Sequence, residues 1–206
     1  MRVGVLASGE GTNLQALLDT VHGGAVEIVA VASDLPGARA LERADGAGVA
    51  TRVFERGAFA DRPARDAAIA DWLEERDVGL VVLAGYMAIL DDAFLVRFAG
   101  RIVNVHPSLL PAFPGVRAIE QALAYGAKVF GVTVHFVEPG EVDSGPVILQ
   151  AAAEVPDAVS PADVLAAIRP LEHALLPRAV ALIAAGAVRR DPGHARRVIV
   201  TPGGGA

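Results

Sequence analysis

The 206-residue chain contains no cysteine, a single lysine (Lys128) and only two asparagines. Without cysteine there is no disulfide, no thiolate metal site and no cysteine nucleophile. A Walker-type Gly-Lys-Ser/Thr is also missing, which removes the usual nucleotide triphosphate loop. Basic residues fall short of acidic ones, giving a formal charge of -6. Broad nucleic-acid binding normally leaves a basic footprint, so no nucleic-acid partner is expected, and any anionic ligand must be held by local groups. Arginine supplies every basic residue except Lys128, which reads as a coding bias rather than a functional signal. No uncharged run reaches the roughly 18 residues of a membrane span, the stretch from Val78 to Leu90 falling short. Met1 to Ala7 is too short for a secretory signal and runs directly into Gly9-Glu10-Gly11. The expectation is a soluble, cytoplasmic protein that engages no membrane, with one compact domain over residues 1–200 and a disordered tail over residues 201–206.

Apolar β-type runs alternate with helical patterns over the first half. Val3 to Ala7, Val26 to Ser33, Val49 to Phe54, Gly79 to Ala84 and Arg101 to Val105 read as strands. Asn13 to Val21, Ala38 to Ala47, Pro63 to Arg76 and Val116 to Tyr125 read as helices. Near-continuous apolar strands separated by helices imply an α/β, Rossmann-like fold with a mostly parallel central sheet and helices on both faces. Ligands then belong at the carboxyl ends of the strands. From Val129 the pattern becomes β-rich, with Val129 to Val137 and Pro146 to Val155 joined by a turn. A long helical pattern follows from Pro161 to Ala185, where Pro170 and Pro177 are expected to kink or restart the helix.

Three polar residues stand out against this apolar background. Arg101-Ile102-Val103-Asn104-Val105-His106 alternates, so Asn104 and His106 share one face of a strand that Pro107 then stops. An amide donor beside an imidazole suits a reaction in which a carbonyl becomes tetrahedral: the amide holds the developing oxyanion and the imidazole donates a hydrogen bond or a proton. Glu141-Val142-Asp143-Ser144-Gly145-Pro146 supplies an acid in a tight turn, and a carboxylate near a histidine favours its charged form. Taken singly, a strand-end asparagine or histidine is more often a satisfied hydrogen-bonding group, and a turn aspartate is more often a cap. As a set they point to chemistry.

The loop Gly9-Glu10-Gly11-Thr12-Asn13 follows a strand and precedes a helix, so its backbone amides could cradle a phosphate. A tight turn capped by Thr12 or Asn13 explains the same residues. Asp34 ends the second strand, about where a ribose-binding acid of a dinucleotide site would fall, but Leu14 stands where such a site wants its third glycine, so no nicotinamide cofactor is expected. His135, also on a strand, is a candidate to line a site. His22, beside Gly23-Gly24, marks a helix end, and His173 and His194 have no comparable context. The histidines show no metal-ligand spacing with acids, so no metal is expected.

Several of these segments, in order and at matching spacing, resemble the folate-dependent formyltransferases. They are Ser8-Gly9-Glu10-Gly11-Thr12-Asn13-Leu14-Gln15, Val82-Leu83-Ala84-Gly85-Tyr86-Met87, Asn104 to Pro111, Gly131 to Gln150, and Glu172-His173. The resemblance implies transfer of a formyl group from the co-substrate 10-formyltetrahydrofolate to the amine of glycinamide ribonucleotide, with Asn104, His106 and Asp143 catalytic. It implies that Gly11, Thr12 and Asn13 hold the ribonucleotide phosphate and that Glu172 meets the ribose hydroxyls. It further implies a folate site formed by Met87, Ala88, Ile89 and Leu90, by Asn104, and by Val137, Glu138, Val142 and Asp143 of a closing loop, with Arg62 toward the anionic glutamate tail. A monomer or homodimer is implied.

A formyltetrahydrofolate hydrolase is the alternative, against which the Gly9 to Asn13 loop argues. A formyltransferase acting on tRNA would want an extra basic domain. Departures from the family pattern are Ala88, where a basic residue is common, and Gly115-Val116-Arg117-Ala118-Ile119, which replaces a segment often containing histidines.

Overall fold

The computed structural model describes residues 1–201; the expected tail, apart from Thr201, lies outside the described residues. Its contacts divide the chain into two compact units, Met1–Asn104 and the chain from Val105 onward.

The first unit runs β1 (Arg2–Leu6), α1 (Thr12–Thr20), β2 (Glu27–Ser33), α2 (Arg39–Gly46), β3 (Ala50–Val53), a 3-10 turn (Arg56–Ala58), α3 (Arg62–Glu74), β4 (Leu80–Leu83), α4 (Asp92–Arg97) and into β5 (Ile102–His106). The strands lie in the order β3-β2-β1-β4-β5, and every pair is parallel. Parallel neighbours need crossovers, which the helices supply. Val3, Val5, Leu6, Val81, Val82, Ile102 and Val103 are fully buried, as expected for central strands covered on both faces. Strand order reverses at β1, so the loops after β1 and β4 are neighbours, and the Ser8 amide donates to the Gly85 carbonyl at 3.1 Å. Such a reversal is where open α/β sheets bind ligands.

All five expected strands and the first three expected helices are present within one or two residues at each end. α4 was not anticipated from the sequence. It has six residues, too few to show a helical period, and its start is fixed by the Asp91 carboxylate accepting the Phe94 N–H at 2.8 Å.

The second unit contains α5 (Ala118–Tyr125), β6 (Val129–Phe136), β7 (Val147–Glu154), α6 (Pro161–Ala184), β8 (Val188–Arg190) and β9 (Val198–Val200). β6 pairs antiparallel with β7, with a register shift between Val134 and His135. The expected restart of the last helix does not occur: α6 continues through Pro170 and Pro177 for 24 residues. A capping box of Ser160 and Asp163 secures its start. Val164, Ile168, Leu175, Leu176, Ala179 and Val180 are buried along it, and it packs on β6 and β7. That burial offsets the two missing N–H donors. The β8–β9 hairpin was also unanticipated, because three-residue strands are too short to show alternation.

Candidate active site

In the second unit His106, His135 and Asp143 come together. The Asp143 Oδ2 atom is 3.3 Å from His106 Nδ1, and its Oδ1 atom is 3.5 Å from His135 Nε2. Oδ2 also accepts the Gly115 N–H at 2.7 Å. Burial alone would raise the Asp143 carboxyl, but the hydrogen bond from His135, the charge of His106 and the Gly115 amide together hold it below the ordinary carboxylate value.

Both histidines are oriented from their far sides. The Nε2 atom of His106 lies 2.9 Å from the Phe113 carbonyl oxygen, and Nδ1 of His135 lies 2.9 Å from the Phe136 carbonyl oxygen. A carbonyl can only accept, so each of these nitrogens carries a hydrogen. Asn104 lies on β5 two residues before His106, and alternation along a strand puts the two on one face.

The turn that carries Asp143 is shaped by its neighbours. Asp143 has a φ of 56°, in the left-handed region that side chains other than glycine avoid. The Glu141 carbonyl accepts both the N–H and the hydroxyl of Ser144, at 3.3 and 2.7 Å. Gly145 passes so close to the Phe136 carbonyl that a Cβ there would fall 1.8 Å from its oxygen, so only glycine fits. At the loop's entry Glu138 pairs with Arg190, whose guanidinium also lies 5.2 Å from the centre of the Phe136 ring.

The segment after β5 is held by a buried network that the sequence did not single out. Thr133 Oγ1 donates to the Ser108 carbonyl at 2.7 Å and accepts from the Leu110 N–H at 3.1 Å and from Gln150 Nε2 at 2.9 Å. The same Gln150 nitrogen donates to the Leu110 carbonyl at 2.9 Å. One hydroxyl thus uses its full bonding capacity to fix the loop that presents Phe113 to His106. Thr133 sits on β6 among apolar residues, and a threonine there looks like ordinary strand composition. Its only sequence signal is a polar residue at a buried register position.

The first unit holds a groove of about 410 Å³ lined by Arg56, Phe59, Ala60, Asp61, Arg62, Arg65, Met87, Ala88 and Ile89. Along residues 87–90 exposure alternates: Met87 and Ile89 are 66% and 61% exposed, Ala88 and Leu90 are 9% and 8%. Two of the four side chains therefore face out and two face the core. The segment's backbone is pinned along its length. Met87 N–H donates to Ser8 Oγ at 2.8 Å, Arg65 Nη2 donates to the Ile89 carbonyl at 3.3 Å, and Asp91 N–H donates to Asp66 Oδ2 at 2.8 Å. Arg65 and Asp66 form a buried ion pair at 2.6 Å, and burial, opposed by Arg65 and the Asp91 amide, raises the Asp66 carboxyl.

Asp34 is not placed to serve a ribose. It is 1% exposed, receives the Ser8 hydroxyl at 2.5 Å and binds Arg56 at 3.0 Å. In the first loop Gly11 is the N-cap of α1 with a φ of 68°, so the N-cap position belongs to neither Thr12 nor Asn13. Gly11 is constrained by packing as well: a Cβ there would meet the Ala40 Cα at 2.7 Å. Asn13 is buried on α1, while Thr12 and Glu172 are half-buried. Arg62 is exposed at the first position of α3, Val142 is exposed, and Val137 and Glu138 are half-buried. Arg117 is the N-cap of α5 with a φ of 57°, and Ile119 is buried on that helix. Among the described residues no group of three or more His, Asp or Glu side chains is arranged to hold a metal ion, and no helix is long and apolar enough to cross a membrane.

The chain as a whole is similar to known proteins. A profile of the formyl transferase family matches residues 1–180. Phosphoribosylglycinamide formyltransferase of Escherichia coli (strain K12) is 41% identical over 191 residues, covering 92% of this chain and 90% of that protein. The trifunctional purine biosynthetic protein adenosine-3 of Drosophila pseudoobscura pseudoobscura is 42% identical over 193 residues, of which this chain spans 14% of the length. Among solved structures, glycinamide ribonucleotide transformylase 1 from Symbiobacterium toebii superposes with a TM-score of 0.92 at 46% identity, covering 98% of this chain and 94% of that one.

Proposed function

The chain belongs to the formyl transferase family, and from that premise we propose that it is a phosphoribosylglycinamide formyltransferase of purine biosynthesis. It moves the formyl group of 10-formyltetrahydrofolate to the amine of glycinamide ribonucleotide, with both molecules as small-molecule substrates in the cytoplasm. The Escherichia coli and Symbiobacterium toebii proteins described above are named for transfer, and the hydrolase alternative is set aside. The observation that carries the chemistry is the Asp143 carboxylate, held ionised between His106 and His135.

The amine lone pair attacks the formyl carbon and the carbonyl electrons move to oxygen. Asn104 donates a hydrogen bond to that oxyanion, and protonated His106 supplies positive charge beside it, donating there when its Nε2 hydrogen leaves the Phe113 carbonyl. The bond from the formyl carbon to the folate nitrogen then breaks. One proton passes from the attacking amine to the departing folate nitrogen, with Asp143 and His106 as the groups that accept and return it. No covalent enzyme intermediate is needed, and much of the acceleration comes from holding two substrates in register.

The remaining assignments follow the same reading. Gly11, Thr12 and Asn13 hold the phosphate at the start of α1, and Glu172 meets the ribose. The pinned backbone of Met87 to Leu90, with the groove beside it, receives the folate together with Val137, Glu138 and Val142, and Arg62 meets its glutamate. The test is a steady-state assay of tetrahydrofolate release from 10-formyltetrahydrofolate with and without glycinamide ribonucleotide. Release that depends on the ribonucleotide supports the assignment; release at the same rate without it overturns it.

A further inference from the structure

Arg56 is the exposed arginine of the groove that pairs with a buried acid. Three arginines line that groove against a single acid, Asp61. Arg65 is 5% exposed and committed to Asp66 and the Ile89 carbonyl. Arg62 is an exposed side chain at the start of α3. The Asp61 carboxylate accepts the Ala64 N–H at 2.8 Å and caps that helix.

Arg56 differs from both of the other arginines. Its Nε and Nη2 atoms donate to one oxygen of Asp34, at 3.2 and 3.0 Å. The Asp34 side chain is 1% exposed, yet that of Arg56 is 60% exposed. The second oxygen of Asp34 receives the Ser8 hydroxyl at 2.5 Å, and that hydroxyl in turn accepts the Met87 N–H at 2.8 Å. A guanidinium presents its five N–H groups as a planar fork with more than one usable edge. Asp34 takes the Nε side, which leaves the outer edge with Nη1 on a side chain that is largely exposed and lines the groove. Held in this way, the side chain has already lost much of the rotamer freedom that an exposed arginine gives up on binding. Ala88, on the same groove, has no charge to offer where the family commonly carries a basic residue.

We propose that Arg56, clamped by Asp34 and Ser8, is a specificity residue that binds a carboxylate of the folate's glutamate tail through its outer edge, supplying the cation that Ala88 lacks. The proposal rests on the folate reading of this groove. It assigns to the ion pair with Asp34 a positioning role: it aims the fork and couples its aim, through Ser8, to the backbone at Met87. A bidentate guanidinium–carboxylate contact is directional as well as charged, so a lysine at this position should reproduce the charge and lose much of the selectivity.

The experiment is calorimetric titration of tetrahydrofolate, and of tetrahydropteroate, which is the same molecule without the glutamate. Both are titrated into the wild-type chain, Arg56→Ala and Arg56→Lys. The expected result is preference of the wild type for tetrahydrofolate, a loss on the order of 10-fold in that affinity for Arg56→Ala, and unchanged affinity for tetrahydropteroate. Arg56→Lys, which keeps a cation for Asp34, should fall between. Equal losses for both ligands, or no loss for tetrahydrofolate in either variant, would overturn the role of Arg56. The binding stoichiometry reports any unfolded fraction of Arg56→Ala, and Arg56→Lys tests the same point in a chain that retains the pairing charge. A wild type that binds neither ligand would instead overturn the folate reading on which this rests.

Discussion

The Oδ2 atom of Asp143 lies 3.3 Å from Nδ1 of His106 and at the same time accepts the Gly115 N–H at 2.7 Å. The aspartate therefore cannot turn toward a third group without giving up one of these two, and its other oxygen faces His135. The carboxylate is thus constrained at both oxygens, in a turn where its backbone has a left-handed φ of 56°.

Asp143→Asn keeps the size of the side chain but removes the charge. Its NH₂ group would also have to confront either the Gly115 N–H or a histidine N–H. Turnover should fall on the order of 100-fold or more, the usual range for loss of an acid–base group, while the Michaelis constants for both substrates change much less. Steady-state kinetics on the folded variant checks this. Full turnover would make Asp143 a turn residue and Glu141 the next acid to substitute.

The same substitution should change how stability depends on pH. The folded Asp143 carboxyl sits below its ordinary value, so the native state keeps the charge where the unfolded chain has begun to bind a proton. Its contribution is complete above the unfolded value near ~3.9 and disappears as pH falls through the depressed folded value. Urea unfolding of wild type and Asp143→Asn from pH 7 to pH 3 should show the wild type losing stability relative to the variant in the acidic part of that range. A difference constant across the range would contradict the assignment.

Gly11 and Gly9 should separate folding from ligand binding in the first loop. A side chain at Gly11 meets both a positive φ and the Ala40 backbone, so Gly11→Val should destabilise the fold by roughly 2–4 kcal/mol. A Cβ at Gly9 meets nothing within 4 Å, and Gly9→Val should melt close to the wild type. Thermal unfolding of the two variants is the check. Loss of ribonucleotide affinity in Gly11→Val carries no weight by itself, because it follows from the packing alone.

Thr133→Val preserves shape and leaves the Ser108 carbonyl, the Leu110 N–H and a Gln150 N–H to find other partners. With Thr133 fully buried, the cost should be about 2–4 kcal/mol. Turnover at saturating substrate should fall along with stability, since the loop that presents Phe113 to His106 is tied down through this hydroxyl. Calorimetry and kcat on the same preparation test both parts. A variant with wild-type stability would show that the network is dispensable.

The parallel strands and their helices were readable because each buries a continuous apolar run, and burial on both faces leaves a strong compositional trace. Asn104 and His106 stood out for the opposite reason, as polar residues at an apolar strand's end. What the sequence hid were features built from contacts between distant residues. The hydroxyl of Thr133 meets Ser108 and Gln150 across 25 and 17 residues, and Asp34 meets Ser8 and Arg56 across 26 and 22. From sequence, Asp34 matched a ribose-binding acid because its position at a strand end was right; only its burial and partners show it at work on Arg56. The two prolines do not restart α6, because the packing of α6 on β6 and β7 holds one helix through both of them.

Transfer of a formyl group through His106 and Asp143 to an amine is tested most directly by following the carbon itself. 10-Formyltetrahydrofolate labelled with carbon-13 in the formyl group is mixed with glycinamide ribonucleotide and the chain, and the label is located by NMR. The account predicts that the label appears as a formyl carbon bonded to the ribonucleotide's amine nitrogen with the wild type, and at least about 100-fold more slowly with His106→Ala. Label recovered as free formate, or transfer at the wild-type rate by the folded His106→Ala chain, would contradict it.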